Sequence, residues 1–264
     1  MKILITGGNG YIAKNIKLLL HGHYDIDVIT RQHLDLTNKQ QVDEYFKQHQ
    51  YDIVIHTAIA GGSRLKQDTP DIVYTNTLML YNILSNRSYY KRFINLGSGA
   101  ELVYPTTPYG MSKSIIANTI KDLNEHYNLR IFAIFNENEL ETRFIKSCIT
   151  NYINKKPINI HQNKYMDFFS MDDFIKVLKL YIEADELSLD KCFDCCYKQK
   201  NTLLDIANII NNQDVYKVDI NIIDTKIGRD YTGNAITRYD LSYNGIKNSI
   251  KKMHNMLKNS SCTL

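Results

Sequence analysis

The fold is decided by the stretch Lys2-Ile-Leu-Ile-Thr-Gly-Gly-Asn-Gly-Tyr-Ile-Ala13, at the start of the chain. Its apolar run, residues 3–5, predicts a strand that is buried on both faces and ends at a glycine turn. Gly7 permits a sharp turn, and Gly10 lets the backbone approach a diphosphate without a Cβ in the way. An amphipathic helix follows, whose first N–H groups and positive dipole end favour phosphate. In this context the glycines predict a dinucleotide-binding turn.

The length and the net charge of the chain limit the classes of protein to which it can belong. The 264 residues are enough for one large domain or for one domain with a small lobe. The net charge is only +4, and the basic residues are spread along the chain, which does not indicate a nucleic acid partner. The apolar start stops at Thr6-Gly7, too early for a secretory signal, and no run is long enough to cross a bilayer. These features predict a cytoplasmic enzyme without a membrane partner.

The five cysteines are an odd number for a disulfide framework. Cys192, Cys195 and Cys196 include a CxxC spacing, but no second Cys/His pair lies nearby in the sequence to complete a zinc site. The stretch around them is typical of a strand. We therefore predict buried, unreactive thiols and no metal site.

Strands and helices alternate through the first half of the sequence. Apolar runs predict the strands, and segments opened by N-cap residues such as Thr37 and Thr69 predict the helices between them. This alternation is typical of an α/β fold with a doubly wound parallel sheet, whose ligand lies at the carboxyl ends of the strands. The predicted strands are 3–5, one ending at 28–31, 52–57, 93–96 and 129–135, with a helix at 109–127 before the last of them.

After Asn136 the alternation loosens, and shorter helices and strands follow. We therefore predict a small C-terminal α+β lobe that binds the substrate beside the cofactor-binding domain. The predicted cofactor-binding domain is 1–136 with about 162–200, and the predicted lobe is about 137–161 with 201–264.

The end of the second strand decides the predicted cofactor. Enzymes that prefer NAD usually place a carboxylate there to bind the ribose 2′-hydroxyl, whereas this sequence has Thr30 and Arg31. A cation suits a 2′-phosphate, so the sequence favours NADP. The alternative is an arginine that is merely solvated in a loop. Asp35 is a candidate contact to the adenine amino group, and the small residues at 58–63 would let the backbone approach a ligand.

A proton donor is predicted one turn from a lysine. Tyr109 and Lys113 lie four residues apart on one helix and therefore share a face. The ammonium group would stabilise phenolate and lower the pKa of the tyrosine from about 10. Tyr109 could then protonate a carbonyl oxygen as hydride reaches its carbon, with Ser98 holding that oxygen. The same spacing recurs, without a preceding strand that ends in serine, at Tyr152/Lys156 and Tyr243/Lys247.

Several motifs occur together in this chain: Gly7-x-x-Gly10-x-x-Ala13, Asp35-Leu36, His56-x-Ala58, Asn76, Ser98, Tyr109-x-x-x-Lys113 and Asp167-Phe-x-x-x-Asp172-Asp173. In combination they resemble the extended short-chain dehydrogenase/reductase family, also called the NAD-dependent epimerase/dehydratase family. The resemblance implies a Rossmann fold, a nucleotide-sugar substrate and a lysine, Lys113, that also holds the nicotinamide ribose. It also implies a homodimer formed through the helices at 69–86 and 109–127.

The predicted site therefore has three parts. The catalytic residues are Ser98, Tyr109 and Lys113. The cofactor-binding residues are Gly7, Gly10, Tyr11, Ile12, Arg31, Asp35, Leu36, Thr57, Ala58, Ala60, Asn76, Tyr109 and Lys113. The substrate-binding residues are Gly62, Ser63, Asn136, Arg143 and Arg229.

Departures from the family pattern narrow the predicted reaction. Dehydratases of the family carry Thr-Asp-Glu where this chain has Ser98-Gly99-Ala100, so elimination is not expected. The start at 96–98 and the Gly61-Gly62 turn resemble the GDP-fucose synthases, which epimerise and then reduce a 4-keto-6-deoxysugar. Their epimerising cysteine falls at about Ala100 here, and the sequence has no histidine from 127 to 160. We therefore predict only the reductase step, with hydride passing from NADPH to C4 of a nucleotide-linked 4-keto-6-deoxysugar.

Two alternatives remain open from the sequence. One is an NAD-dependent nucleotide-sugar 4-epimerase, which uses the same serine, tyrosine and lysine. The other is a Rossmann protein that serves as a redox sensor or scaffold and has lost catalysis. The family arginine that contacts the nucleotide diphosphate is replaced by Met166, and its candidate substitutes are Arg143, Lys146, Lys164 and Arg229.

Overall fold

The computed structural model describes residues 1–63, 66–184 and 189–261. Its strands are β1 (Lys2–Ile5), β2 (Asp25–Val28), β3 (Tyr51–His56), β4 (Tyr90–Ser98), β5 (His126–Ile131), β6 (Ile134–Phe135), β7 (Ile158–Gln162), β8 (Phe169–Ser170), β9 (Cys192–Cys195) and β10 (Ile220–Asp224). Its helices are α1 (Tyr11–Leu20), α2 (Lys39–Gln48), α3 (Asp71–Leu84), α4 (Ala100–Val103), α5 (Pro108–Ile120), α6 (Phe144–Ile153), α7 (Met171–Glu183), α8 (Leu203–Asn211) and α9 (Gly245–Ser261).

The main sheet has the strand order β2-β1-β3-β4-β5-β9 among the described residues. Strand β1 pairs in parallel with β2 and β3, and β3 pairs in parallel with β4. Leu4, Val54 and Phe93 on these central strands are fully buried, as expected for a sheet covered on both faces. The predicted fold class is confirmed, and the carboxyl ends of β1, β3 and β4 lie at one edge, where the candidate site is found.

The helix predicted at 109–127 is too long. Helix α5 ends at Ile120, and the chain turns through Glu125, whose φ of 56° is in the left-handed region. His126 therefore begins strand β5 and does not lie on a helix. The strand predicted at 129–135 is split into β5 and β6. No glycine or proline marks this turn in the sequence, which explains the wrong boundary.

The N-cap predicted at Thr37 is one residue early. Helix α2 is capped by Asn38, whose side-chain oxygen accepts a hydrogen bond from the Gln41 N–H. The Thr37 hydroxyl instead donates to Asp35 Oδ1 at 2.7 Å. Thr37 thus stabilises the loop before α2. This loop also forms part of the candidate site.

The chain forms two compact units, Met1–Arg130 with Leu178–Phe193, and Ile131–Val177 with Asp194–Leu264. The second unit contains two pairs of parallel strands, β6 with β8 and β7 with β10. Residues 131–136, 162–177 and 194–200 belong to this unit, whereas the predicted cofactor-binding domain included them. That the first unit binds the cofactor and the second binds the substrate stays a prediction.

The cysteine stretch forms β9, as predicted. Cys195 and Cys196 are buried and Cys192 is half-buried, while Cys262 lies outside the described residues. Burial raises the pKa of Cys196 to about 12, so its reactive thiolate is disfavoured.

Candidate functional site

The glycine turn joins β1 to α1. Gly7 has a φ of 69°, and a Cβ on this residue would lie 2.7 Å from the backbone N and Cα of Ala58. Only glycine fits this close approach between the ends of β1 and β3. Gly10 is the N-cap of α1 and has no side chain to cover the first N–H groups, while Tyr11 and Ile12 open the helix. The turn therefore offers an uncovered helix N-terminus to an anion.

A cleft of about 320 Å³ opens beside this turn, within the first unit. It contains eight residues predicted to bind the cofactor: Gly7, Gly10, Arg31, Asp35, Leu36, Thr57, Ala58 and Ala60. Eight further lining residues were not among the predicted cofactor-binding residues: Asn9, Ile29, Thr30, Leu34, Thr37, Ile59, Thr75 and Met79. Of these, Thr30 and Ile59 lie in stretches that the sequence had placed beside a ligand. Thr75 and Met79 lie four residues apart on α3, so a helical-face argument could have found them.

Arg31 and Asp35 form the rim of the cleft. Asp35 Oδ1 accepts hydrogen bonds from both the N–H and the hydroxyl of Thr37, and these bonds hold the pKa of Asp35 below its usual value. Asp35 Oδ2 lies 3.5 Å from the Arg31 guanidinium, whose side chain is 83% exposed. Such an exposed ion pair contributes little, so Arg31 can turn toward a ligand phosphate at small cost.

Thr6 and His56 hold the turn that follows β3. Thr6 Oγ1 accepts hydrogen bonds from the N–H groups of Thr57 and Ala58, both at 3.2 Å. The same oxygen lies 3.0 Å from His56 Nδ1. Burial lowers the pKa of His56 to about 3, so the ring is neutral at physiological pH. One threonine hydroxyl thus fixes two residues of the cleft wall.

Asn76 supports the cleft from α3 but is absent from its lining residues. Its side chain accepts a hydrogen bond from the Ala60 N–H at 2.7 Å and donates to the Ala60 carbonyl and to Ser112 Oγ, both at 3.0 Å. The small-residue turn is therefore tied to both α3 and α5. Further along that turn, a Cβ on Gly62 would lie 2.6 Å from the Tyr109 ring, so the glycine packs directly on the tyrosine.

Tyr109 and Lys113 are brought together at the start of α5. Thr107 caps this helix by accepting a hydrogen bond from the Gly110 N–H. Lys113 Nζ lies 6.0 Å from the centroid of the Tyr109 ring and donates to the Leu96 carbonyl at 2.6 Å. Burial lowers the pKa of Lys113 to about 8, and the nearby Glu101 carboxylate partly opposes this shift. The arrangement can stabilise a phenolate at Tyr109.

Ser98 ends β4 and is buried. Its hydroxyl oxygen accepts a hydrogen bond from the Ala100 N–H at 3.2 Å, and its own N–H donates to Glu101 Oε1 at 2.7 Å. Glu101 Oε2 in turn accepts from Asn128 and Arg130, each at 3.0 Å. Sequence reasoning missed Glu101, because nothing in the local pattern distinguishes it from an exposed helical glutamate.

The residues predicted to bind substrate are divided between the two units. Gly62 and Ser63 belong to the first unit. Asn136, Arg143 and Arg229 belong to the second, where Arg143 is the N-cap residue of α6. Their contact with a substrate stays a prediction.

Lys146, one candidate substitute for the family arginine, is bound to the loop before α6. Its Nζ donates to the carbonyls of Glu137 and Glu139 at 2.8 and 2.9 Å and forms an ion pair with Glu141. The side chain is only 10% exposed and thus serves the loop before α6. Met166, which stands at the arginine position, is buried.

Within residues 1–63, 66–184 and 189–261, no group of three or more His, Cys, Asp or Glu side chains is placed to hold a metal ion. The described helices include none with the length and apolarity required to span a membrane.

Comparison with known proteins identifies the family of this chain. The model of the NAD dependent epimerase/dehydratase family matches residues 3–191. A GDP-L-fucose synthase of Azorhizobium caulinodans is 31% identical over 163 residues, which cover 59% of this chain and 48% of that protein. This chain therefore spans about half the length of that curated relative.

Solved structures share the fold over nearly the whole chain. A dTDP-4-dehydrorhamnose reductase from Clostridium acetobutylicum superposes with a TM-score of 0.77 at 22% identity, covering 98% of this chain and 100% of that one. The GDP-mannoheptose C4 reductase from Campylobacter jejuni with NADP bound gives 0.76 at 15% identity, covering 97% and 98%. At these identities the likeness establishes the fold alone.

Proposed function

Because this chain belongs to the NAD-dependent epimerase/dehydratase family, as its motifs predicted, we propose that it is an NADPH-dependent nucleotide-sugar 4-ketoreductase. Its proposed substrate is a nucleotide-linked 4-keto-6-deoxysugar. The single observation that carries the proposal is the position of Tyr109 beside the buried Lys113 ammonium, which itself donates to the Leu96 carbonyl near the end of the strand that delivers Ser98.

The walls of the cleft fit a dinucleotide. The Gly7 turn lets the chain after β3 lie directly against the end of β1, and the N-terminus of α1 offers N–H groups to a diphosphate. On the far wall, the backbone at 57–60 is held by Thr6 and Asn76. A bound nicotinamide cofactor would supply hydride, and the protein supplies position and electrostatics.

The remaining chemistry is a proton transfer. Tyr109 would donate its phenolic proton to the C4 oxygen as that oxygen gains negative charge. The Lys113 ammonium stabilises the phenolate left behind, and the Ser98 hydroxyl would orient the oxygen by a hydrogen bond. Half-buried surroundings strengthen both interactions relative to water.

The names of relatives agree with chemistry at C4 of a nucleotide sugar. Structures that share the fold include 4-reductases, one of them with NADP bound, and 4-epimerases with NAD bound, so the choice of the reductase rests on Arg31 and on the site of this chain. One curated relative is a GDP-L-fucose synthase. The proposed dimer through α3 and α5 rests only on the family resemblance.

The test is a panel of dTDP-, GDP-, UDP- and CDP-linked 4-keto-6-deoxyhexoses offered with NADPH. We expect stoichiometric loss of the reduced cofactor, followed at about 340 nm, with at least one of them. A purified protein that retains NAD and interconverts 4-hydroxyl epimers without consuming NADPH would instead indicate the 4-epimerase. A protein that binds dinucleotide but converts no member of the panel would argue against the reductase.

Arg31 is expected to set the cofactor preference. Arg31→Ala should weaken NADPH binding by about 10-fold or more, because one charged hydrogen-bond partner of the 2′-phosphate contributes about 1.5–3 kcal/mol. The Kd values for NADPH and NADH are measured by fluorescence titration. NADH is the control ligand in the same variant, since it lacks the phosphate. Equal weakening of both cofactors would contradict the assigned role.

A further inference from the structure

Glu101 is a buried carboxylate directly behind the proposed catalytic residues. Its side chain is only 3% exposed. One oxygen accepts from the Ser98 N–H at 2.7 Å, and the other accepts from Asn128 and from Arg130. A carboxylate with this many donors is held in one orientation.

The same stretch of β4 is held by Lys113. Lys113 Nζ donates to the Leu96 carbonyl, two residues before the N–H that binds Glu101. In a strand, the C=O of one residue and the N–H of the residue two further along point to the same side. The ammonium and the carboxylate therefore approach one side of residues 96–98. The helices that carry them are also linked, because Ser114 Oγ donates to the Glu101 carbonyl at 3.1 Å.

We infer that Glu101 is a positioning residue for the proposed reduction: its carboxylate fixes the Ser98 turn and supplies a negative charge on the side of β4 that the Lys113 ammonium approaches. The catalytic role that this inference gives to Glu101 rests on the proposed function. Its electrostatic part concerns this chain's own side chains and can be tested without turnover.

The charges around Lys113 agree with this role. Burial alone disfavours the ammonium and lowers the pKa of Lys113 to about 8, whereas Glu101 acts in the opposite direction. His56 faces Lys113 from β3 but is neutral, and Tyr109 faces it from α5. Arg130 approaches from β5 and is paired with Glu101. Burial raises the pKa of Glu101 itself, whereas the Ser98 N–H and Arg130 favour its carboxylate form. In that form Glu101 is the nearby anion that offsets the cost of burying the ammonium.

The experiment follows Lys113 directly by NMR. The protein is labelled with [ε-13C]lysine, and the Lys113 signal is assigned by its loss in Lys113→Met. In Glu101→Gln, which keeps an oxygen for the Ser98 N–H but removes the charge, we expect the titration midpoint of Lys113 to fall by about one pH unit or more. With a substrate from the panel, the alkaline limb of the pH profile of kcat should shift to lower pH by the same amount.

Glu125→Gln is the matched control. Glu125 is a similarly buried carboxylate paired with Arg92, near the opposite end of β4. Its loss should leave the Lys113 midpoint unchanged. Glu101→Asp keeps the charge and should restore the midpoint most of the way to the wild-type value. An unchanged midpoint in Glu101→Gln, an equal shift in Glu125→Gln, or no restoration by aspartate would overturn the inference.

A second variant covers the case in which Glu101→Gln does not fold. Coupling between two titrating groups is reciprocal, so Lys113→Met should raise the midpoint of the Glu101 carboxyl by the same amount. This is read from [δ-13C]glutamate, and an unmoved Glu101 signal would overturn the inference. Should the panel show no turnover while the NMR shifts occur as expected, the proposed function fails and the electrostatic role stands.

Discussion

Tyr109→Phe is expected to lower kcat by about 1000-fold while leaving the affinity for NADPH unchanged. The ring remains packed against Gly62, so the start of α5 keeps its shape. Only the proton donor is lost, and a positioned general acid contributes about 100- to 10,000-fold. Steady-state rates with a panel substrate and fluorescence titration with NADPH measure the two quantities separately.

Tyr243→Phe is the matched control for this variant. Tyr243 also precedes a lysine by four residues, but its ring packs on Phe169 and Tyr197 in the second unit. Removing its hydroxyl should change kcat by less than about 3-fold, because no reacting oxygen is assigned to it. A Tyr109→Phe enzyme with near wild-type kcat would remove the central element of the proposal.

Gly110→Ala is expected to destabilise the protein by about 3 kcal/mol or more. A Cβ on Gly110 would lie 1.9 Å from the Tyr104 carbonyl oxygen and 2.8 Å from the Ala100 carbonyl oxygen. Both are backbone atoms and cannot rotate away, so α5 would have to move off α4. That movement would also shift Tyr109, the preceding residue.

The free energy of unfolding is measured by urea titration, with Gly22→Ala as the control. Gly22 has a φ of 80°, but a Cβ on this residue would meet no atom within 4 Å, so the variant tests backbone conformation without collision. Its replacement should cost only about 1–2 kcal/mol. A Gly110→Ala protein as stable as the control would show that the two helices can separate freely.

The fold could be predicted because local signals agreed with one another. The apolar run at 3–5 and the glycines after it predicted β1 and its turn, and the alternation predicted the parallel sheet. The i, i+4 spacing predicted that Tyr109 and Lys113 share a face, and the structure brings them together. Each of these signals lies within a few residues of the feature it predicts.

The errors and omissions have a different origin. The end of α5 depends on Glu125 adopting a left-handed conformation, which no local sequence signal marks. Glu101 on α4 pairs with Arg130, 29 residues away on β5. Such contacts are set by the tertiary arrangement, so periodicity and motif spacing could not reveal them.

The Thr6 hydroxyl has one proton and already accepts hydrogen bonds from two backbone N–H groups. It must therefore donate its proton to His56 Nδ1, which leaves the imidazole hydrogen on Nε2. The tautomer of His56 and the conformation of the turn after β3 are thus fixed when the protein folds. A dinucleotide that binds against this wall meets a backbone that is already held in place, so little conformational entropy remains to be lost there on association.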